Sequence, residues 1–250
     1  MNEYRKGDLE VMKILAVDSS SLTASVAIVE DDLTIAEYTV NYKKTHSQTL
    51  LPMLNEIVQM TEQDLSTVDG IAVAAGPGSF TGLRIGSATV KGLAEALDKP
   101  VIAVPTVDGL AANLSGTDKL VCPLMDARRN QTYTGLYEFV REENAFSMKT
   151  LLAQCAVDIK EIAEKINERG REVIFLGDGV PVFKEQLGEL IQVPHTFAPG
   201  TCNRQRAAVV ATLGMEYFKR GIYTDAKTHA PCYLRLSQAE RERLEKEEKD

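Results

Sequence analysis

The sequence predicts an α/β protein of two lobes, because one order of strands and helices occurs twice along the chain. In each half an apolar strand ends in an aspartate, Asp18 or Asp126, and is followed by a turn and a β-rich segment. A helix then precedes a second apolar strand that enters a Gly-x-Gly turn, with Gly76 and Gly78 in one half and Gly177 and Gly179 in the other. Short unbroken apolar runs of this kind are typical of strands in the middle of a sheet.

The first half begins with three predicted strands, at residues 13–18, 22–30 and 33–42. The acidic pair Asp31-Asp32 separates the last two, which predicts an antiparallel meander. The helix that follows has Ser47 as its predicted N-cap. Its apolar residues recur at helical spacing: Leu50, Leu51, Leu54, Ile57 and Val58.

The first half continues with an apolar strand at 70–75 that leads through the glycine-rich run 76–82 into a helix ending near Leu97. A strand at 101–104 and a helix at 106–114 complete this half. The polar run 115–118, Ser-Gly-Thr-Asp, is therefore the predicted boundary between the lobes.

The second half repeats this order, with a final helix predicted to begin at Asn203 and to stop at Gly221. Its other predicted elements are strands at 120–125, 131–140 and 173–176, a helix at 157–169 and a helix after Gly179. A duplicated βββαβα unit is characteristic of the actin-like/Hsp70-like (ASKHA) fold. The predicted organisation is a leader (1–11), an N-terminal lobe (12–115), a C-terminal lobe (116–236) and a charged tail (237–250).

The composition excludes several classes of protein. The 250 residues include 28 basic and 36 acidic side chains, and a net charge of −8 argues against holding a nucleic-acid backbone unaided. No apolar stretch is long enough for a membrane span and no export signal opens the chain, so we expect a cytoplasmic protein. Three histidines and four isolated cysteines predict neither a metal site nor a disulfide framework.

The residues at the strand ends resemble a nucleotide site that has lost parts of its chemistry. In actin-like ATPases the aspartates at these positions hold magnesium and order water, and glycines in the turns approach the phosphates. Here the turns are Ser19-Ser20-Ser21 and Ala127-Arg128-Arg129, and Leu83 stands where a P-loop would have lysine. Close strand–helix packing explains the glycines equally well. The degenerate nucleotide-site positions are Asp18, Ser19, Gly76, Gly78, Asp126, Gly177 and Gly179.

Two helices of the first half carry apolar residues on more than one side, which favours a partner in addition to their own sheet. The second of them also has small residues about four apart, a spacing that lets two helices approach closely. These residues are Gly82, Gly86, Ser87, Val90 and Ala94.

Several segments together resemble the TsaB (YeaZ) family. They are ILAVDSS at 14–20, THS at 45–47 followed by LLP at 50–52, GPGSFTGLRIG at 76–86, MDARR at 125–129 and PCYLR at 231–235. The GPGSFTGLRIG run is the most specific of these, and the resemblance extends over about residues 12–235.

The resemblance implies a non-catalytic scaffold and activating subunit in tRNA threonylcarbamoyladenosine synthesis. Its implied partners are a TsaD-type transferase and a TsaE-type ATPase, with a homodimer in isolation, tRNA bound only indirectly, no membrane and no cofactor. The transferase holds a metal with two histidines spaced i, i+4, and the equivalent positions here are Thr106 and Leu110, which cannot replace imidazole.

The resemblance also places the partner surface on the two helices near residues 47–60 and 81–97. The predicted contact residues are Leu51, Leu54, Ile57, Arg84, Val90 and Leu93. A nucleotide-dependent enzyme of the actin-like class is the alternative function. A peptidase is a further alternative, although the sequence offers it no nucleophile or metal arrangement.

Overall fold

The computed structural model describes residues 11–235. The predicted leader, except its last residue, and the predicted tail lie outside this range. None of the helices between residues 11 and 235 has the length and apolar character needed to cross a membrane.

The described chain folds into two five-stranded sheets with helices on their faces. The strands are β1 (Lys13–Asp18), β2 (Ala24–Glu30), β3 (Leu33–Val40), β4 (Gly70–Gly76), β5 (Val101–Pro105), β6 (Leu120–Asp126), β7 (Gln131–Arg141), β8 (Phe146–Asp158), β9 (Val173–Leu176) and β10 (His195–Phe197). The helices are α1 (His46–Thr61), α2 (Phe80–Leu97), α3 (Thr106–Ala112), α4 (Ile159–Arg169), α5 (Val180–Leu190) and α6 (Ala207–Lys219).

The two sheets have the same topology. The strand order is β3-β2-β1-β4-β5 in the first sheet and β8-β7-β6-β9-β10 in the second. In each sheet the first strand of the unit pairs antiparallel with the second and parallel with the fourth. This arrangement confirms the predicted duplicated actin-like α/β fold.

The first sheet is covered on both faces. Helices α1 and α2 pack on one face, where Leu50, Leu54 and Val90 join a buried cluster with strand residues such as Val26 and Ile71. Helix α6 covers the opposite face, although it follows the second sheet in the sequence. Burial on both faces explains why β1 and β4 are almost continuously apolar.

Helix α6 lies very close to the first sheet because Gly214 has no side chain. A Cβ atom added at Gly214 would lie 2.9 Å from the Cβ of Ala72. Helix α3 packs mainly under the second sheet, where Leu110 joins a cluster with Val121 and Met125. The last helix of each unit therefore packs against the sheet of the other unit.

The sequence predicted four local features incorrectly or missed them. The N-cap position of α1 is Thr45 rather than Ser47, and α6 begins at Ala207 rather than just after Asn203. Strand β8, whose side chains are partly or fully exposed, was missed because it lacks an apolar run. Strand β10 was missed because it has only three residues.

Candidate functional site

A cleft of about 560 Å³ lies where the strand ends of the two units meet. We call it the interlobe cleft. It is lined by Ser20, Ser21, Leu22, His46, Gly78, Ser79, Phe80, Met125, Asp126, Ala127, Arg128, Tyr133, Asp178 and Arg235. Several of the predicted nucleotide-site positions lie on its wall or just behind it.

The turn after β1 packs directly against the glycine-rich run that leads into α2. The Ser79 N–H donates to the Ser20 carbonyl at 2.6 Å, and the Ser19 hydroxyl donates to the Gly82 carbonyl at 2.9 Å. A side chain at Gly78 or Gly82 would collide with the carbonyl groups of Ser20 or Ser19. These two glycines therefore allow two loops of the same chain to touch through their backbones.

Gly76, the last residue of β4, also permits a close backbone contact. Its φ of +119° lies in the region that favours glycine, and a side chain there would collide with the Cys232 carbonyl. The second unit repeats the arrangement, because side chains at Gly177 and Gly179 would meet the Leu124 carbonyl. The packing explanation of the glycines is thus the one that the geometry supports.

Asp18 is buried and already hydrogen-bonded within its own turn. Its Oδ1 accepts from the Ser20 N–H at 2.9 Å and from the Ser20 hydroxyl at 2.7 Å. Burial raises the pKa of Asp18, and the hydrogen bonds from Ser20 and the nearby His46 partly oppose that rise. His46 itself contacts the Ser21 carbonyl oxygen through Nε2 at 2.7 Å, so this turn also touches the start of α1.

Asp126 pairs with an arginine of its own turn. Its Oδ1 accepts from the Arg128 N–H at 2.8 Å, and its Oδ2 lies 3.2 Å from Arg128 Nη1. Nearby, burial raises the pKa of Asp178, and Arg204 opposes that rise. Within residues 11–235 the Oδ1 atom of Asp178 has no hydrogen-bond partner.

The turn between β6 and β7 has an unusual backbone. Arg128, Arg129 and Asn130 have φ values of 64°, 55° and 59°, all in the left-handed region. This region costs a residue with a side chain roughly 1–2 kcal/mol, and asparagine and glycine tolerate it best. The two arginines are therefore held in a conformation that their residue type does not favour.

Thr106 and Leu110, the two positions expected to correspond to the transferase histidines, have structural contacts here. The Thr106 hydroxyl accepts a 3.0 Å hydrogen bond from the Gly76 N–H. Leu110 is buried in the cluster between α3 and the second sheet. In the described part of the chain, no three His, Cys, Asp or Glu side chains form a metal-binding group.

The predicted partner contacts divide into surface and core residues. Leu51 is 55% exposed, Arg84 is exposed and Leu93 is half-buried at the surface. The predictions for the other three were wrong, because Leu54, Ile57 and Val90 are only 5%, 3% and 0% exposed and pack against the first sheet. Side chains already covered by their own chain cannot bury further area against a partner.

The predicted row of small residues on α2 also faces inward. Gly82, Gly86, Ser87, Val90 and Ala94 are all buried. A second row, Ala88, Gly92 and Ala96, is exposed at a spacing of four residues and was missed. A Cβ atom added at Gly92 would meet nothing within 4 Å. We call the outward surface residues Leu51 of α1 and Ala88, Gly92, Leu93 and Ala96 of α2 the helix face.

A segment near the C-terminus, residues 224–235, runs beside α2 and is here called the strap. Thr224 pairs with Val101 at the edge of the first sheet, and the Cys232 N–H donates to the Ala75 carbonyl at 2.7 Å. The Tyr233 ring then stacks on Phe80 with a centroid separation of 4.0 Å. The strap therefore covers one flank of α2 and leaves the outward row of small residues exposed.

A family model and a curated relative each match most of this chain. The family model described as TsaD, tRNA N6-adenosine threonylcarbamoyltransferase, matches residues 34–243. The TsaB protein of Bacillus subtilis is 36% identical over 237 residues, which are 94% of this chain and 99% of that protein. TsaB of Escherichia coli is 33% identical over 136 residues, 53% of this chain and 57% of that protein.

Solved structures show the same relationship. YeaZ from Pseudomonas aeruginosa superposes with a TM-score of 0.75 at 27% identity, covering 89% of this chain and 100% of that one. A second structure from that organism, described as similar to peptidase YEAZ, gives a TM-score of 0.76 at 26% identity, covering 90% and 100%. Together with the near full-length match to a curated TsaB, these findings confirm the predicted resemblance. The chain belongs to the TsaB (YeaZ) family, whose curated members are named tRNA threonylcarbamoyladenosine biosynthesis proteins.

Proposed function

We propose that this chain is a cytoplasmic, non-catalytic subunit that binds a TsaD-type transferase through the helix face. In that role it supports threonylcarbamoylation of N6 of adenosine 37 in tRNAs that read codons beginning with A. The observation that carries the proposal is the exposed row Ala88, Gly92 and Ala96 on α2, with Leu93 on the same helix and Leu51 exposed on the neighbouring helix α1.

The shape and chemistry of the helix face suit another pair of helices. Small residues four apart on α2 leave a shallow groove, into which the ridge of a partner helix can pack closely. Leu51 and Leu93 add apolar side chains to the helix face. Burying them against a partner removes water from them and stabilises the complex. Exposed apolar groups arranged along two neighbouring helices are typical of a binding surface.

The non-catalytic part of the proposal rests on contacts that occupy the former nucleotide-site positions. The turn after β1 is packed against residues 78–82, and Ser20 already engages the Asp18 carboxylate. Arg128 pairs with Asp126 in the second unit. Since these groups satisfy one another, the proposed role is to organise a partner rather than to carry out chemistry.

Activation then follows from a change in the partner's conformational equilibrium. A subunit that binds one arrangement of the transferase lobes more tightly than another shifts the population towards that arrangement. We infer that a TsaE-type ATPase joins near the same junction, and that two copies of this chain share the helix face when the transferase is absent.

A reconstituted modification assay tests the function. Purified transferase, ATPase and unmodified tRNA are incubated with the threonylcarbamoyl donor, with and without this chain. The proposal predicts a large rise in modified adenosine when the chain is added, and no product when the chain replaces the transferase. An unchanged yield in the presence of the chain would contradict the proposal.

The alternative function has its own test. Magnesium and ATP are titrated into the purified chain, and both nucleotide binding and phosphate release are measured. Micromolar binding with turnover by this chain alone would support an actin-like ATPase and contradict the non-catalytic role.

A further inference from the structure

The turn between β6 and β7 carries two arginines where the fold itself favours other residues. Hairpin turns with consecutive left-handed residues select asparagine and glycine, and only Asn130 follows that preference. Arg128 and Arg129 are both exposed, and the side chain of Arg128 is 87% accessible. The side chains of both arginines are exposed, so the packing of the protein does not explain why arginine occupies these strained positions. Unfavourable residues of this kind point to a role in binding.

Further groups that suit a phosphate-bearing ligand lie around the same end of the interlobe cleft. Arg235 reaches the turn and donates from Nη1 to the Ala127 carbonyl at 2.6 Å. Tyr233, two residues earlier, is 38% exposed and stacks on Phe80. Arg128, Arg235 and Phe80 line the cleft, Arg129 follows Arg128 in the turn, and Tyr233 stacks on Phe80. Three guanidinium groups and an aromatic pair therefore lie around one end of the cleft, in a chain whose net charge is −8.

We propose that this cleft mouth, with Arg128, Arg129, Arg235 and Tyr233, contacts an unpaired RNA strand. The guanidinium groups would bind backbone phosphates, and the exposed part of Tyr233 would receive a base by stacking. The inference rests on the proposed function, because it names the tRNA substrate as the RNA. It departs from the expectation that tRNA is bound only indirectly.

The charge pattern favours RNA over a protein partner. Aromatic rings interleaved with arginines are the usual footprint of single-stranded nucleic-acid binding, and every base offers a face for stacking. Within residues 11–235 the Arg129 side chain makes no ion pair or hydrogen bond, whereas Arg128 pairs with Asp126 and Arg235 donates to the Ala127 carbonyl. Arg129 is therefore the guanidinium of the three that can bind a phosphate without breaking an existing contact. The chain's acidity elsewhere means that the contact adds to binding by the transferase and does not replace it.

The test compares Arg129→Gly with Asn130→Gly and Arg129→Lys in the complex with the transferase. The probe is a fluorescently labelled, unmodified anticodon stem-loop of a tRNA that reads a codon beginning with A. Anisotropy is measured over a series of salt concentrations, and thermal midpoints are measured in parallel. Glycine suits the left-handed backbone at both positions. Asn130→Gly also removes the hydrogen bonds of Asn130 with Asp158 and Gln186, so the thermal midpoints show how far each substitution changes the turn itself.

The proposal predicts opposite effects of Arg129→Gly on stability and on binding. The thermal midpoint should rise by about 2 °C because the left-handed strain is relieved. RNA affinity should fall by about three- to tenfold, and the slope of log affinity against log salt should decrease by about 1. Asn130→Gly should leave the affinity and the salt slope unchanged, and Arg129→Lys should retain most of both.

Two results would overturn the inference. One is RNA affinity in Arg129→Gly equal to that of the unchanged complex, and the other is equal loss in both glycine variants. If ATP or an acidic peptide binds the site and the stem-loop does not, RNA is the wrong ligand. Complex formation is measured first, and the chain alone is titrated at low salt, so failure to bind the transferase is distinguished from failure to bind RNA.

Discussion

The backbone N–H of Ser79 donates a 2.6 Å hydrogen bond to the carbonyl oxygen of Ser20, which joins the glycine-rich run before α2 to the turn after β1. The contact is possible because Gly78 and Gly82, on either side of Ser79, have no side chains to hold the turn away. A sequence that looks like a phosphate-binding loop is therefore used for internal packing, and it anchors the start of α2 beside the start of α1.

The packing role of these glycines predicts opposite effects of one substitution at two positions of α2. Gly82→Ala should destabilise the chain by about 1–3 kcal/mol, because its methyl group collides with the Ser19 carbonyl. Gly92→Ala should stabilise it by about 0.5–1 kcal/mol, because Gly92 is helical and its Cβ would meet open space. Urea unfolding measures both free energies, and equal effects at the two positions would contradict the packing account.

Thr106 should stabilise the fold through its hydroxyl group rather than through the shape of its side chain. Thr106→Val leaves the buried Gly76 N–H without its acceptor and should cost about 1–3 kcal/mol of stability. Thr106→Ser keeps the acceptor and should cost less. Denaturant midpoints of the two variants decide the matter, and a valine variant as stable as the serine variant would rule out this hydrogen bond as a significant contribution.

Replacement by aspartate should have different effects at two leucines that lie three residues apart on α1. Leu54→Asp places a charge in the apolar cluster under α1 and should unfold the chain. Leu51→Asp lies at the surface and should leave the circular dichroism spectrum unchanged, while weakening transferase binding by about tenfold or more. A folded Leu51→Asp variant with full binding would exclude α1 from the interface.

The chain should lose stability in mild acid because the strap contains a buried histidine. His229 is 4% exposed, and burial, together with the ammonium group of Lys91, lowers its pKa below the ordinary 6.5. The unfolded chain therefore takes up a proton at His229 more readily than the folded chain does. Its contribution to stability is complete above pH 6.5 and is lost as the pH falls towards the depressed pKa of the folded state.

Unfolding midpoints between pH 5 and pH 7.5 check this expectation. His229→Asn cannot take up the proton, so the part of the pH dependence due to His229 should disappear in that variant. Identical pH profiles for the variant and the unchanged chain would contradict a role for His229. His195→Asn, which removes an imidazole outside the strap, serves as the control for the substitution itself.

The fold could be predicted because its central strands are strongly apolar and end in the same residue types. Edge strand β8 could not, since an edge strand with exposed side chains has no apolar run to reveal it. The start of α6 was misplaced because residues 203–206 have a different role as a connection between the units. There Asn203 and Arg204 bond to Gly177 of the second unit. Gln205 accepts from the Ser21 hydroxyl and Arg206 donates to Glu37, both in the first unit.

The helix face could be predicted only at the level of whole helices. Periodicity showed that α1 and α2 were apolar on more than one side, but it could not say which side the first sheet would cover. Leu54 and Val90 therefore looked like partner contacts and are core residues, while Ala88 and Gly92 were overlooked. A small residue on an exposed helix surface gives no hydrophobic signal, and only the packed structure shows that it faces away from the sheet.

Calorimetric titration of this chain into the TsaD-type transferase tests the central claim most directly, with Gly92→Arg compared against Gly188→Arg. Both glycines are exposed within helices, and a Cβ atom added at either meets nothing within 4 Å, so both variants should fold. The account predicts that Gly92→Arg weakens binding by about a hundredfold or abolishes it, whereas Gly188→Arg on α5 binds like the unchanged chain. Equal and undiminished affinity in both variants would show that the helix face is not where the transferase binds.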